Sequence, residues 1–366
     1  MNVLFCSCFL DHSGYAQAAR NLLMSMISVG INVKTEIVTY QTGRQALGEG
    51  CEEAKKRQNL DIPYDIKLIM LTPEQAILRK ENNKYNIELL FWEVLGVDQR
   101  WVNYMNQMNA ICTTSKIFAK TFLDSGVTVP IRVIAQPIKL KEKQIPINIK
   151  EHNGFLFYSI FQWTERKNPK SLLTSYWKTF ANNEDVALLL KTYRSDFSPM
   201  EKQAVKNDIL RWKDELKLKR YPKVLLSLNE LSVDEIVQLH LRGDVFVSAH
   251  RGEGWGYPQM EAMSFGKPII STNFGGIHEL LDDKNAWLID YKLTNVFNMG
   301  HIEWYNTKQL WASPNEESIS KAMLEAYTNR EKTKEKGKRA LEFVKNNLLL
   351  RHVGEDIKEK LEKIKI

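Results

Sequence analysis

Unbroken apolar runs alternate with segments of helical periodicity from the first residues onward. The run VLFCSCFL at 3–10 is typical of a parallel strand buried on both faces. Apolar residues recur at three- and four-residue spacing over 16–27, which predicts a helix, and Gly30 predicts where it stops. Residues 31–40 predict a second strand, whereas the polar segment 41–60 predicts a loop or a short exposed helix. The chain therefore opens with a predicted βαβ unit.

The alternation continues in two series on either side of a charged segment. Predicted strands of the first series lie at 66–71, 87–92, 110–115 and 131–135, and those of the second at 155–161, 186–193, 223–228, 244–249, 267–272 and 285–290. Residues 139–154 are charged, contain proline and lack periodicity, as is typical of an interdomain linker. The pairs Ser198–Glu201 and Ser232–Glu235 each predict a capping box at a helix start. We therefore expect an α/β protein of two doubly wound domains, with the ligand site in the cleft between them.

Composition adds a cellular context to this organisation. With 366 residues, 43% apolar and 26% charged, the chain matches an ordinary globular protein large enough for two domains. No apolar run reaches the ~18 residues of a membrane span, and the start MNVLFCSCFL lacks the basic leader of a secretory signal. The cysteines show no metal-ligand spacing, so we expect reduced thiols in a cytoplasmic protein and no structural zinc. They are Cys6, Cys8, Cys51 and Cys112.

The charge balance favours polyanionic partners. A net charge of +7 and an isoelectric point near 9.0 suit nucleotide phosphates, a membrane surface or nucleic acid. Most of the lysine-rich end of the chain, from 329 onward, predicts solvated helices with acid–base pairs four residues apart. Charge alone does not choose among the three partners.

Missing motifs exclude several classes of enzyme. The chain has no G-x-x-x-x-G-K-[ST] phosphate loop, and no G-x-G-x-x-G follows the first strand, which argues against P-loop NTPases and nicotinamide dehydrogenases. No two aspartates are two residues apart, so the common metal-chelating pair is absent. The nucleophile elbow G-x-S-x-G of serine hydrolases is absent as well.

Chemically distinctive residues are concentrated in one stretch, HRGEGWGYPQMEAMSFGKPIISTNFGGIHE, at 250–279. Three glycines in its first turn, at 252, 254 and 256, let the backbone approach a ligand closely. The turn leads into a predicted short helix, whose first amides and dipole suit a diphosphate. Glu253 lies at the mouth of this loop, and Glu261 follows about two turns of helix later. A single carboxylate such as Glu261 can accept hydrogen bonds from both hydroxyls of a ribose diol.

The pair Glu253 and Glu261, within EGWGYPQMEAM, resembles the E-x7-E motif of the retaining glycosyltransferases of family 4, which have the GT-B fold. The resemblance extends over nearly the whole chain. It includes 91–137, which is similar to a stretch of the family's N-terminal domain, 157–177, which is similar to its arginine–lysine segment, and 231–256, which leads into the motif.

The resemblance implies catalytic roles for four residues. Glu253 would face the transferred sugar and its phosphate, and Lys167 with Arg166 would neutralise the leaving diphosphate. Glu93 matches an acidic position that lines the active site of similar sequences. One departure concerns a Gly-Arg pair of the family, because residues 161–162 read Phe-Gln here. Either Arg166 supplies the missing charge or the phosphate is held less tightly.

The resemblance also implies a set of donor-binding residues, with Glu261 holding the ribose hydroxyls. These residues are Glu261, Gly254, Trp255, Gly256, Tyr257, Lys191, Ser13, Gly14, Gly275 and Gly276. A nucleotide sugar would be the donor, UDP-sugar first and GDP-mannose second, and no cofactor or obligatory metal is implied. The acceptor would be a hydroxyl of a glycan, a lipid-linked precursor or another cell-surface precursor. Peripheral contact with a membrane surface or DNA through the basic charge is a further expectation.

In domain terms, residues 1–145 would form the acceptor domain and 152–344 the donor domain. The C-terminal helix, about 345–366, would pack back on the first domain. Two other functions stay open besides a related phosphorylase or epimerase. The chain could glycosylate hydroxymethylated bases of DNA, as some viral enzymes do, or bind a nucleotide sugar without catalysis.

Several of these residues also have structural explanations. Arg166 and Lys167 suit a charged turn before a helix that starts at Pro169. Lone histidines have many structural uses, which applies to His12, His250 and His278. Packing is the expected role of four tryptophans, namely Trp92, Trp101, Trp163 and Trp255.

Overall fold

The computed structural model describes residues 1–40, 45–141, 152–299 and 302–364. The first elements are β1 (Asn2–Ser7), α1 (Gly14–Ser28), β2 (Asn32–Ile37), α2 (Glu49–Gln58), β3 (Ile66–Met70), α3 (Pro73–Ile77), β4 (Tyr85–Leu90), α4 (Gln99–Met105), β5 (Ala110–Thr113), α5 (Lys116–Asp124) and β6 (Ile131–Val133). Next come β7 (Phe155–Gln162), a 3-10 turn (Glu165–Lys167), α6 (Pro169–Phe180), β8 (Val186–Tyr193), α7 (Pro199–Leu216), β9 (Lys223–Ser227), α8 (Val233–Arg242), β10 (Val245–Ser248), α9 (Tyr257–Ser264) and β11 (Ile269–Thr272). The last are a 3-10 turn (Gly276–Glu279), β12 (Ala286–Ile289), β13 (Tyr291–Asn295), β14 (Leu310–Pro314), α10 (Glu316–Thr328), α11 (Arg330–Asn347) and α12 (Leu350–Glu362).

The first of two compact units comprises Met1–Leu140, Glu303–Gln309 and Lys345–Ile366. In its described part, six parallel strands form a sheet in the order β2-β1-β3-β4-β5-β6. Helix α12 packs on α1, where a Cβ added at Gly354 would lie 2.4 Å from the Ser25 carbonyl oxygen. The glycine therefore allows the C-terminal helix to approach α1 closely.

The second unit comprises Lys141–Ile302 and Leu310–Val344. Among its described residues, six parallel strands are ordered β12-β11-β10-β7-β8-β9. Counted from β7, this is the Rossmann order 3-2-1-4-5-6 read from the other edge. An apolar cluster of this unit joins β7 and β8 to α6, α7 and α10, with Trp177 fully buried. Parallel strands separated by helices in both units confirm the predicted α/β class with doubly wound sheets.

Several sequence predictions of individual elements were wrong. The strand predicted at 3–10 ends at Ser7, because Arg20 donates to the carbonyl oxygens of Phe9 and Asp11 (2.7 and 3.0 Å) and fixes a turn there. At 41–60, by contrast, one of the two predicted alternatives is confirmed, since α2 is a short helix in which only Cys51 and Ala54 are buried. All four cysteines are buried thiols, and the antiparallel pair β13–β14 had not been predicted.

Of the two predicted capping boxes, only one forms in full. Ser232 and Glu235 bond reciprocally at the start of α8. At α7, Ser198 accepts from the Glu201 amide, but its own amide donates to Asp196 (2.7 Å) and not to the glutamate. Most of the predicted linker, 142–151, lies outside the described residues. Within the described part of the chain, no helix combines the length and the apolar character that crossing a bilayer requires.

Candidate donor and acceptor sites

The strand order of the second unit positions its candidate site. Strands β7 and β10 are neighbours, but the chain leaves them toward opposite edges of the sheet, through β8 and β11 respectively. Such a switch point leaves a crevice at the carboxyl ends of the two strands, where ligands of doubly wound sheets bind. The loop after β7 carries Arg166 and Lys167, and the loop after β10 carries Glu253.

Asn168 fastens the two loops together. Its backbone is left-handed (φ 53°), and its side-chain oxygen caps α6 by accepting from the Ser171 amide at 3.4 Å. The Asn168 amide group donates to the carbonyl of Ala249 at 3.0 Å, and the Arg251 amide donates to the Arg166 carbonyl at 2.7 Å. The 3-10 turn that bears Arg166 is therefore held directly against the loop after β10.

A buried ion pair joins Lys167 and Glu253. The lysine Nζ lies 2.5 Å from Oε2 of the glutamate, and the side chains are only 13% and 9% exposed. Burial opposes ionisation of Glu253, but Lys167 first, together with His250 and Arg166, outweighs it and lowers the pKa of the carboxyl to about 2. Arg166 donates to the Gly252 carbonyl at 2.8 Å. The structure thus brings together three of the four predicted catalytic residues.

The second glycine pair lies against the same loop. A Cβ added at Gly276 would be 1.9 Å from the carbonyl oxygen of Gly254, and one at Gly275 would be 2.4 Å from that of Glu253. The Gly276 amide donates to the Glu253 carbonyl at 2.8 Å. Since no side chain fits at Gly276, this residue fixes the backbone that carries Glu253. Gly256, at φ 89°, then turns the chain into α9.

Two aromatic residues of the motif have structural roles. Trp255 is 2% exposed, and its indole nitrogen donates to the sulfur of Met260 at 3.2 Å. His250 is buried, with Nε2 3.0 Å from the Phe274 carbonyl and Nδ1 3.0 Å from the hydroxyl of Ser248. Burial lowers the pKa of His250 to about 4. The packing role predicted for the tryptophans is confirmed, because Trp92, Trp101 and Trp163 are buried as well.

Glu261 lies on α9 between two basic side chains. Its Oε2 is 3.8 Å from Nε2 of His240, and its Oε1 is 3.9 Å from Nζ of Lys141. Burial opposes ionisation, but His240 and then Lys141 lower the pKa of Glu261. The side chain keeps 26% exposure, so the carboxylate is ionised and accessible. Tyr257 is the first residue of the same helix.

Two further residues of the second unit lie on strands outside the motif stretch, Gln162 on β7 and Lys191 on β8. Lys191 lies in the buried part of β8, and its ammonium is 4.8 Å from the ring centroid of Phe197. Burial lowers the pKa of Lys191, against the charge of Glu230. The Gln162 side chain donates to the Arg194 carbonyl at 2.9 Å, so this position contributes an amide and no positive charge.

The remaining predicted residues belong to the first unit. Ser13 caps α1, because its hydroxyl oxygen accepts from the Ala16 amide at 3.1 Å. A Cβ added at Gly14 would meet no described atom within 4 Å. Glu93 follows β4 and accepts a hydrogen bond from the phenol of Tyr305, whose ring stacks on Trp92.

Sequence reasoning missed Tyr305 and Arg251. Tyr305 is 212 residues from Glu93 and had no signal in the pattern. Arg251 lies inside the quoted motif stretch, so its charge was visible. Its guanidinium contacts Glu165 (Nε–Oε1 3.3 Å) and covers the rings of Phe297 and Trp311. Arg251 therefore braces the turn that bears the candidate phosphate-binding cations. In the described ranges, no three His, Cys, Asp or Glu side chains converge as a metal site would require.

Comparison with known proteins gives this geometry a context. The family model described as "Glycosyl transferases group 1" matches residues 141–343. Sulfoquinovosyl transferase SQD2 of Arabidopsis thaliana is 35% identical over 78 residues, which are 21% of this chain and 14% of that protein.

Solved structures resemble the whole chain. Alr3699/HepE of Anabaena, in complex with UDP and glucose, has a TM-score of 0.68 at 15% identity and full coverage of both chains. Sucrose-phosphate synthase (tll1590) of Thermosynechococcus elongatus has a TM-score of 0.68 at 13% identity, covering 99% of this chain and 98% of that one. At these identities the likeness shows the fold, which is GT-B with two Rossmann-like domains.

Proposed function

The chain belongs to the glycosyl transferases group 1 family, and we propose that this glycosyltransferase moves a sugar from a nucleotide-sugar donor to a hydroxyl acceptor with retention of configuration, as family 4 enzymes do. One observation carries the proposal. The buried Lys167–Glu253 pair joins the loop after β7 to the loop after β10 at the switch point of the second sheet. This arrangement combines a fixed cation for a phosphate with a carboxylate at the expected reaction centre.

The donor would lie along the loop after β10. Backbone amides from Gly254 to Gly256, at the start of α9, would bind the diphosphate together with Lys167 and Arg166. The accessible carboxylate of Glu261 would accept from both ribose hydroxyls. A UDP-sugar is the first choice, because HepE binds UDP and glucose on the same fold, and GDP-mannose is the second.

The transfer would exchange one bond to the anomeric carbon for another on the same face. The bond from that carbon to the diphosphate oxygen breaks as the bond to the acceptor oxygen forms. The hydroxyl proton of the acceptor passes to the departing phosphate oxygen. Lys167 and Arg166 would stabilise the negative charge that develops on the diphosphate. Glu253 would face the positively charged, oxocarbenium-like sugar. No cofactor or metal is part of this proposal.

The acceptor would bind to the first unit. Glu93, held by Tyr305, is the proposed acceptor-facing carboxylate. A glycan or lipid-linked hydroxyl is the proposed acceptor class. Hydroxymethylated DNA belongs in the same acceptor screen as the competing class.

The first experiment is a thermal-shift comparison of UDP, GDP, ADP and dTDP. Ligand at 100 times its dissociation constant stabilises the folded protein by about 2.7 kcal/mol. We expect one nucleotide to stabilise the wild type, Glu261→Ala to weaken this effect, and the surface control Glu342→Ala to leave it unchanged. The absence of a response to all four nucleotides, with every protein folded, would overturn the proposed donor site. The matching UDP- or GDP-sugar is then tested for transfer, with the product anomer read by NMR.

A further inference from the structure

We propose that His240, oriented by Tyr158, positions the Glu261 carboxylate and thereby makes the donor site prefer ribose over 2′-deoxyribose. The inference rests on the proposed function, in which Glu261 binds the ribose hydroxyls. It adds a positioning residue that lies on a different helix, α8, and that does not itself touch the ligand.

The imidazole of His240 is held by two neighbours, Phe265 and Tyr158. It is fully buried, and its ring stacks on Phe265 at 5.3 Å with an interplanar angle of 8°. Its Nδ1 lies 3.0 Å from the hydroxyl of Tyr158. Tyr158 in turn packs against Gly243, where an added Cβ would lie 2.2 Å from the tyrosine ring. A ring held in this way presents its remaining nitrogen, Nε2, in one direction.

That direction is toward Glu261. Nε2 of His240 is buried without a hydrogen-bond partner among the described residues, and its distance to Oε2 of Glu261 is 3.8 Å. An approach of about 1 Å would give an ordinary N–H···O hydrogen bond. A buried nitrogen of this kind is costly unless it finds an acceptor, and the carboxylate is the acceptor it faces.

The Tyr158 hydroxyl and the Glu261 carboxylate lie at opposite nitrogens of the His240 ring and together favour one tautomer. Burial raises the pKa of Tyr158 well above its usual range, so the phenol keeps its proton and can donate it to Nδ1. When the phenol donates to Nδ1, the ring hydrogen lies on Nε2 and points at the carboxylate. The opposite arrangement would set the Nε2 lone pair against the negative charge of Glu261. Both considerations favour the tautomer that donates to Glu261.

A fixed orientation of the Glu261 carboxylate matters more for binding the two hydroxyls of ribose than for binding the single hydroxyl of 2′-deoxyribose. Two hydrogen bonds from adjacent hydroxyls require the carboxylate to keep its orientation, whereas one bond tolerates rotation. Loss of the His240 donor should therefore weaken binding of a ribonucleotide by about five- to tenfold, the equivalent of one ordinary hydrogen bond. Binding of the 2′-deoxynucleotide should change much less.

The test measures dissociation constants of UDP and 2′-deoxy-UDP, and of GDP and 2′-deoxy-GDP, by calorimetry. His240→Phe keeps a flat ring against Phe265 but removes both nitrogens. His240→Gln places an amide N–H near the Nε2 position. Tyr158→Phe removes only the hydroxyl that orients the ring. His152→Phe is the matched control, because it changes another buried histidine of the same unit.

We expect the ribose preference of the wild type to collapse in His240→Phe, to fall in Tyr158→Phe, to recover partly in His240→Gln and to persist in His152→Phe. The role of His240 would be overturned if folded His240→Phe and Tyr158→Phe kept the preference for ribose over 2′-deoxyribose while Glu261→Gln lost it. That result would leave the proposed donor site intact. Should His240→Phe fail to fold, Tyr158→Phe decides alone. If no nucleotide binds the wild type, the proposed function itself fails and this inference fails with it.

Discussion

Replacing Lys167 by methionine should leave the Glu253 carboxylate buried without the ammonium that lies 2.5 Å from it. In the wild type the pKa of Glu253 falls from the ordinary 4.5 to about 2, although burial acts in the opposite direction. Each pKa unit corresponds to about 1.4 kcal/mol, so the site favours the ionised form by about 3 kcal/mol. Removing one partner of a buried pair costs a similar amount, roughly 3 to 5 kcal/mol.

We therefore expect Lys167→Met to lower the free energy of unfolding of the second unit by about 3 kcal/mol at pH 7. The double variant Lys167→Met/Glu253→Gln should regain most of this loss, because no buried charge remains uncompensated. Hydrogen exchange of the amides in β7 and β10 measures this unit directly, which matters in a protein of two units.

The pH dependence provides a second criterion. A folded pKa below the unfolded value stabilises the wild type above about pH 4.5, and that contribution disappears as the pH falls toward 2. In Lys167→Met, burial should raise the pKa of Glu253, so the folded variant takes up a proton as the pH falls from 7 to 5. The difference in free energy of unfolding between the variant and the wild type should therefore become smaller over this range. A loss below about 1 kcal/mol, or an equal loss in the double variant, would refute the reasoning.

Three further predictions concern single residues. Gly276→Ala should abolish activity and lower the melting temperature by several degrees, because the new Cβ would lie 1.9 Å from a carbonyl oxygen. The control Gly14→Ala should keep the melting temperature, because a Cβ there meets no described atom within 4 Å. Equal shifts of the melting temperature in the two variants would contradict the steric argument. Tyr305→Phe should slow transfer several-fold in a steady-state assay, because Glu93 loses a donor, while its stacked ring preserves the melting temperature; an unchanged rate would count against the role of Glu93. His250, whose pKa is lowered by burial to about 4, should make stability fall by about 3 kcal/mol between pH 6.5 and 4, since the unfolded chain binds the proton first. In urea titrations, the free energy of unfolding of His250→Gln should decrease less between pH 6.5 and 4 than that of the wild type. An equal decrease in both proteins would be inconsistent with a buried neutral imidazole.

Much of the fold could be predicted from the chain pattern. Strands such as 186–193 were predicted at their observed bounds, because a run buried on both faces is apolar throughout. Strand ends were less predictable, as at Ser7, where a side chain distant in sequence satisfies the next carbonyl groups. The pair β13–β14 escaped prediction, because its short strands are partly exposed and lack such a run.

The candidate site could be predicted only where its residues are close in sequence. The motif pattern is visible along the chain, because it consists of local spacing between Glu253, Glu261 and the glycines that separate strand from helix. His240 gave no such signal, because its importance depends on a ring held by Phe265 and Tyr158 and aimed at another helix.

The sequence by itself determined the α/β class, the two series of strands and the chemistry of the motif, because burial periodicity and local spacing are properties of the chain. Only the tertiary structure decided the strand order, which makes β7 and β10 neighbours and brings Lys167 to Glu253, 86 residues away. An ion pair of this kind depends on which strands are neighbours in the folded sheet. It also depends on how far the two side chains lose water and on the charges around them, and these conditions exist only when segments distant in sequence meet in space.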